Sequence, residues 1–194
     1  NNCINPNEIN KSIINLLKLD PLFKNFLNDY FSIKNKTSLQ NLISNFEKYP
    51  LFLKLISVSL IYDLDIEKIL QDLRSSILSS IFNLKSTSHL LNFQSALALH
   101  CFTNEYIYSS TLKEDKALDD LENEIEKQIS IGKHPASNLL LCIASYRPLY
   151  QYDWSPSIIN NSSLKEVFKR QIQEPNTEKR LELTINNSQI ITEK

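Results

Sequence analysis

The sequence predicts an all-α protein, a single compact bundle of about eight or nine helices with no internal repeat. Three observations carry this. The 194 residues contain one glycine, Gly132, too few for the tight turns and bulges that a sheet protein needs. Apolar residues recur at spacings of three and four through most of the chain. Short polar residues stand immediately before several of these runs, where helix caps belong.

Asn1 to Asn7 is polar and reads as frayed. A first helix spans Glu8 to Leu19, with Ile9, Ile13, Leu16 and Leu17 as its inner stripe. Asp20-Pro21 then opens a second, because a proline at the first helical position loses no hydrogen bond there. It carries Leu22, Phe23, Phe26, Leu27 and Tyr30, and ends in a polar loop, SIKNKT. Thr37 or Ser38 caps a third helix with Leu39, Leu42, Ile43 and Phe46 inside. Tyr49-Pro50 stops it and starts a fourth, LFLKLISVSL. Periodicity alone allows a buried strand there; the helical neighbours and missing turn residues favour helix. Asp65 caps a fifth, from Ile66 to Phe82, with Ile66, Ile69, Leu70, Leu73, Ile77 and Ile81 repeating at three and four.

Ser88 to Tyr108 is the most apolar long run. Leu90, Phe93, Leu97, Cys101, Asn104 and Tyr108 share one helical face, and Leu91, Ala96, Ala98, Leu99, Phe102 and Ile107 leave little room for a wet side. Such a helix is a buried central one. Asn92, Gln94, His100, Asn104 and Glu105 interrupt it, so it is not read as a membrane span.

Thr111, with Glu114 three residues on, forms a capping box for a helix from Leu112 to Ile131. Leu118, Leu121, Ile125 and Ile129 are its seam. Asp115, Asp119, Asp120, Glu122, Glu124 and Glu126 form a solvated acidic face, and Gly132 terminates it. His134-Pro135 opens a helix through Ser145. SYRPLYQYDW comes next as an ordered aromatic turn packed on the core. Ser163 caps a helix from Leu164 to Gln173 that Glu174-Pro175 ends. Asn176 or Thr177 caps a short last helix, TEKRLEL, and Ile185 to Lys194 reads as a linker.

Composition narrows function. A net charge of −1 gives no electrostatic footprint for nucleic acid or an anionic membrane. Cys3, Cys101 and Cys142 are odd in number and widely spaced, which reads as free thiols in a reducing compartment. No CxxC or HxxxH spacing exists, so no metal site is assigned. A chain with Gly132 alone holds no GxGxxG, P-loop or GxSxG motif. The absence of methionine, even at position 1, predicts that the chain is a fragment of a longer protein.

His100-Cys101 are adjacent, so their side chains diverge by about 100° on a helix and cannot act as a pair. His89 or His134 could in principle reach Cys101 or Cys142, but packed core residues are the better reading. No compact carboxylate–histidine group is visible, and Glu122 and Glu126 are surface charges. Two clusters remain as candidate interface. Asn104, Glu105 and Tyr106 are polar groups amid apolar ones that either pin the following turn or face a partner. In the Tyr146–Trp154 segment, Arg147, Tyr150 and Trp154 suit an interface, with Arg147 stacked on a ring. Catalytic and cofactor-binding residues are not assigned.

Several segments resemble one bacterial family. LRSSILSSI at Leu73 to Ile81 and LNFQSALALHCFTNEYIYSSTLKED at Leu91 to Asp115 are similar to its "LR-x-x-LL … FL-x-ALA-x-QCF-x-NEYV … T-x-E" pattern. LLLCIASYRPLYQYDW and QIQEPNTEKRLELTI resemble its later segments. These are the tetratricopeptide-repeat proteins with a C-terminal class I S-adenosylmethionine-dependent methyltransferase domain. In them a helical middle domain lies between repeats and catalytic domain. Phe102, Asn104, Glu105, Tyr106, Arg147, Pro148, Glu174 and Pro175 match its pattern. The repeat pattern itself is absent here.

The resemblance implies a cytoplasmic, non-catalytic accessory domain over residues 1–185, with 186–194 as a linker toward a catalytic domain not contained in these residues. It implies the repeats and the methyltransferase domain as partners in the same chain, a protein substrate as a further partner, and neither nucleic acid nor membrane. S-adenosylmethionine is implied for the parent protein, with no cofactor in this segment. Two readings stand beside it. One is a stand-alone interaction module using the Tyr146–Trp154 cluster or the acidic Leu112–Ile131 face. The other is a small-molecule bundle with a pocket lined by His100, Asn104 and Glu105.

Overall fold

Helix α6, Ser88–Thr103, forms the middle of the fold. The computed structural model describes residues 6–158 and 164–179, and among them every regular element is helical. Before α6 come α1 (Pro6–Leu19), α2 (Pro21–Lys34), α3 (Leu39–Ser44), α4 (Pro50–Val58) and α5 (Leu64–Ser80). After it come α7 (Leu112–Ser130), α8 (Ser137–Ala144) and α9 (Lys165–Phe168). Short 3-10 turns at Asn45–Lys48, Ile81–Asn83, Leu149–Gln151 and Ser155–Ile158 link them. Helix α6 packs on α4 along one side and on α8 along another, with α3 and α9 closing around it, while α5 carries α7 and α2.

The core is why α6 is buried nearly all round: Leu90, Phe93, Leu97, Ala98, Leu99, His100 and Cys101 are all inaccessible. An aromatic seam joins it to the first half. The Phe46 ring lies 5.0 Å from Phe93 and 5.0 Å from Phe26, and stacks 5.7 Å from Phe52. Such pairs add roughly 0.5–1.5 kcal/mol each beyond the area they bury. Several caps stand as the sequence reads them. Asp20 accepts from the Leu22 amide, Ser38 from Asn41, and Thr111 and Glu114 form the capping box. LFLKLISVSL is helical as α4.

Some expectations need correction. In α1 the inner residues are Ile13, Ile14 and Leu17, while Ile9 and Leu16 face outward. Two apolar stripes compete there, and packing on α2 and α4 selects one. Leu22 is likewise exposed, and α2 runs on into the SIKNKT stretch, through Lys34. The cap of α5 is Asp63, not Asp65. Asp63 is extended and accepts from the Ile66 amide at 3.2 Å, and it also pairs with Lys18. Helix α8 starts at Ser137, after Ala136.

The central run does not stay helical to Tyr108. It stops at Thr103, and the chain closes with Glu105 and Tyr106 at φ 55° and 56°. The Tyr106 amide reaches the Cys101 carbonyl at 2.8 Å and the Glu105 amide that of Phe102 at 3.2 Å. This is a Schellman end, the same motif that Gly132 makes after α7, where Lys133 donates to Gln128 and Gly132 to Ile129. At α6 the left-handed position is held by a glutamate. Because the turn folds back, Asn104 and Tyr108 are buried although no longer helical.

The last helix does not end at Glu174-Pro175. After α9 the chain widens into a π-helical segment, Lys169–Gln173, and residues 174–179 are again α-helical. The Glu174 amide bonds five residues back, to Lys169. A proline in a regular helix clashes with the carbonyl four residues earlier; the widened turn takes Pro175 in without a break. Thr177 is no cap: its hydroxyl donates back to the Gln173 carbonyl at 2.8 Å. Cys3, the Ser163 cap, the Ile185–Lys194 linker and the boundary at 185 lie outside the described residues.

Candidate functional site

The end of α6 and residues 170–179 of the last helical stretch face each other across an open groove of about 920 Å³. Phe102 and Thr103 with the left-handed turn residues Glu105 and Tyr106 form one wall. Arg170, Pro175, Asn176, Glu178 and Lys179 form the other, and Pro148, Tyr150 and Gln151 lie between them. The Tyr106 ring meets Phe102 edge-on at 6.4 Å, and its hydroxyl donates to the Ala144 carbonyl at 3.2 Å. Tyr150 is 45% exposed.

Gln171 fixes the spacing of the walls. It is fully buried. Its amide donates to the Ala98 and Ala144 carbonyls at 3.1 and 3.0 Å and accepts from the Leu149 amide at 3.2 Å. One side chain thus ties α6, α8, the Leu149 turn and the final helix. Arg170, beside it, forms an ion pair with Glu174 at 3.3 Å.

The six candidate interface residues separate. Glu105, Tyr106 and Tyr150 line the groove. Asn104 is buried behind it, with Nδ2 3.4 Å from His100 Nε2. Trp154 stacks on Tyr152 at 4.6 Å. Among the described residues Arg147 stacks on no ring. Its Nη1 lies 2.5 Å from Glu122 Oε1, and Tyr152 donates to the same carboxylate. Burial works against the Arg147 charge, but Glu122 and Tyr152 together outweigh it and raise its pKa. Glu122 is therefore a structural partner rather than a solvated charge. A pocket lined jointly by His100, Asn104 and Glu105 does not form, since the first two are buried and Glu105 faces the groove.

A buried polar network behind the turn has no signal in the sequence. Arg74, 3% exposed, lies 4.1 Å from the Tyr146 ring centre and 5.2 Å from that of Tyr108, and donates to the Tyr108 and Ser109 carbonyls at 3.2 Å. This is the arginine–aromatic contact. Tyr146 donates to Glu114 at 2.7 Å. Tyr108 donates to Glu67, and His100 Nε2 lies 2.7 Å from the Tyr108 oxygen and 3.7 Å from Glu67. A compact carboxylate–histidine group does exist, then. Its members come from α5, α6 and the turn, so no local spacing announces it.

The electrostatics make this network structural. Burial pushes His100 down to about 4, against the pull of the Ser59 and Ile56 backbone. Burial raises Glu67, with Tyr108 lowering it and Asp63 raising it further. Burial raises the Glu114 carboxyl too, but the Tyr146 and Thr111 hydrogen bonds outweigh it and hold it below the usual range. The Cys101 thiol is pushed up to about 12 and Cys142 is raised as well, both by burial. A neutral, enclosed imidazole and protonated, enclosed thiols offer no nucleophile. His89 meets neither thiol; it pairs with Glu47 at the surface.

Among the described residues, no group of three or more His, Cys, Asp or Glu side chains could hold a metal ion, and no helix is long and apolar enough to cross a membrane. Comparison with protein-family models, with curated proteins and with solved structures returns no match.

Proposed function

We propose that this chain is a non-catalytic helical accessory domain of a cytoplasmic bacterial S-adenosylmethionine-dependent methyltransferase, and that its groove is the face on which another part of that protein docks. The observation that carries this is convergence. The residues behind the resemblance come from three separate stretches, yet Phe102, Glu105, Tyr106, Pro148 and Pro175 all line one groove. Core packing alone gives no reason for an exposed tyrosine, two prolines and a left-handed glutamate to gather there. Strained non-glycine backbone is retained where a site needs it. The role is positional, holding the catalytic domain or a substrate that the repeats present.

Titration calorimetry with S-adenosylmethionine tests this. The 194 residues alone take up none, whereas the product of the whole reading frame binds it. Binding by the 194 residues, or by neither, removes the reading.

A stand-alone interaction module is the second reading. Leu19, Leu22 and Leu64 favour it, each about three-quarters exposed at 75%, 73% and 78% and close to the Lys18–Asp63 pair. A reading frame with no methyltransferase domain supports it.

A further inference from the structure

Helix α1 carries two apolar stripes, and the fold covers one of them. Ile13, Ile14 and Leu17 pack inward. Ile9, Leu16 and Leu19 stay 44%, 60% and 75% exposed. With Ser12 they fall at i, i+3, i+7 and i+10, the spacing of a seam along which one helix packs on another. A contiguous apolar row of this kind marks an interaction surface. Ser12 is its one polar member. The Ser12 hydroxyl donates to the Glu8 carbonyl at 2.8 Å, so the seam can be covered without stranding a donor. At one end Leu64 extends the row, because Lys18 pairs with the neighbouring Asp63.

Two features identify what covers it. The row is symmetric about Ile14, with Ile9 and Leu19 five residues either side and Ser12 and Leu16 two. A second α1 laid antiparallel therefore sets each Ile9 against the other copy's Leu19, and each Ser12 against its Leu16. The charges agree with that direction. Glu8 lies in the first turn and Lys18 in the last, so antiparallel packing brings each acidic first turn to a basic last turn and opposes the helix dipoles. A parallel copy would bring like ends together. With a net charge of −1, two copies repel little.

We infer that α1 is a homodimer contact, made by two copies of this chain about a two-fold axis near Ile14. The helix pair is in contact over about 15 Å, small beside a standard interface. The dimer therefore forms above micromolar concentration and dissociates in the dilute solutions where unfolding is measured. The inference is independent of the groove and of methyl transfer.

Sedimentation equilibrium of the 194-residue chain, from micromolar to near-millimolar, tests it. The weight-average mass is expected to rise from one chain toward two. Leu16→Lys is expected to stay monomeric throughout, with an unchanged far-UV spectrum and thermal midpoint in dilute solution, since Leu16 is exposed in the single chain. Ile9→Lys and Leu19→Glu should each weaken the dimer by about tenfold or more, because each buries an unpaired charge. An equimolar mixture of those two variants should regain association, since only antiparallel pairing sets the new lysine against the new glutamate. A parent chain that stays monomeric to near-millimolar, growth past two chains, a Leu16→Lys variant that pairs like the parent, or a mixture no tighter than its components overturns the inference.

Discussion

Glu105 and Gly132 occupy the same place in the same motif, at φ 55° and 75°. The left-handed region costs a residue with a Cβ roughly 1–2 kcal/mol, and glycine little. A Cβ at Gly132 would meet nothing within 4 Å, so Gly132→Ala is expected to lose about 1 kcal/mol from backbone strain alone. Glu105→Gly should gain about 0.5 kcal/mol, strain relief exceeding the added entropy of the unfolded chain. Thermal unfolding of both variants checks the opposite signs. The Gly132 end was legible because glycine marks it. The α6 end was not, because a glutamate in that position looks like one more helical residue. His100 gives a second prediction at this scale. Its folded pKa of about 4 lies below the ordinary 6.5, so between those values the unfolded chain binds a proton that the folded chain refuses. The stabilisation is complete above about pH 6.5 and is lost as pH falls toward 4, by about 2 kcal/mol between pH 7 and pH 5. Glu67, raised instead, works in the opposite sense, stabilising on the acid side. Urea unfolding of His100→Gln should show a flatter dependence on pH than the parent chain, whatever its absolute stability.

Among elements, the last helix depends most on a single polar side chain. Gln171→Leu keeps the volume approximately but leaves the Ala98 carbonyl and the Leu149 amide without the bonds this residue gives them, while Ala144 retains Tyr106. The Ala98 carbonyl keeps its place in the α6 ladder, so the Leu149 amide is the group left bare; a buried polar group without a partner costs about 1–3 kcal/mol, and a loss of about 2 kcal/mol in urea unfolding is expected. A loss under about 1 kcal/mol, the low end of that range, would mean that the staple is incidental. The sequence reading ended this helix at Pro175 by a sound local rule. The rule failed because a π turn can absorb a proline, and nothing local in KRQIQEP distinguishes that turn from a helix end. Starts were easier. Asp20, Ser38 and Thr111 act through amides two or three residues away, and an interaction that local is written in the sequence. Asp63, the cap in place of Asp65, also pairs with Lys18, 45 residues earlier, a contact no local pattern shows.

For the whole molecule, hydrophobicity identified the helices, but topology decided which faces are wet. The all-helical class and the central place of α6 were legible because α6 is apolar on every side, so no arrangement of neighbours could leave it at the surface. Helix α1 is apolar on two faces, and only the position of α2 and α4 settles which is covered. The groove was half legible: Glu105 and Tyr106 stood out as polar groups amid apolar ones and Tyr150 as part of an aromatic cluster, whereas Arg170 and Pro175 reach the site only through tertiary structure. Two leucines, each assigned by sequence to an inner stripe, make the distinction measurable. Leu97 is 1% exposed on the central helix α6, so Leu97→Ala should cost about 2–5 kcal/mol. That is a large part of the roughly 5–15 kcal/mol typical of a whole domain. Leu16 is 60% exposed, so Leu16→Ala should stay within about 0.5 kcal/mol. Denaturation midpoints of the two variants decide the point. Comparable losses would mean that α1 buries its Ile9–Leu16 stripe, and a near-silent Leu97→Ala would mean that α6 is not the centre of the fold.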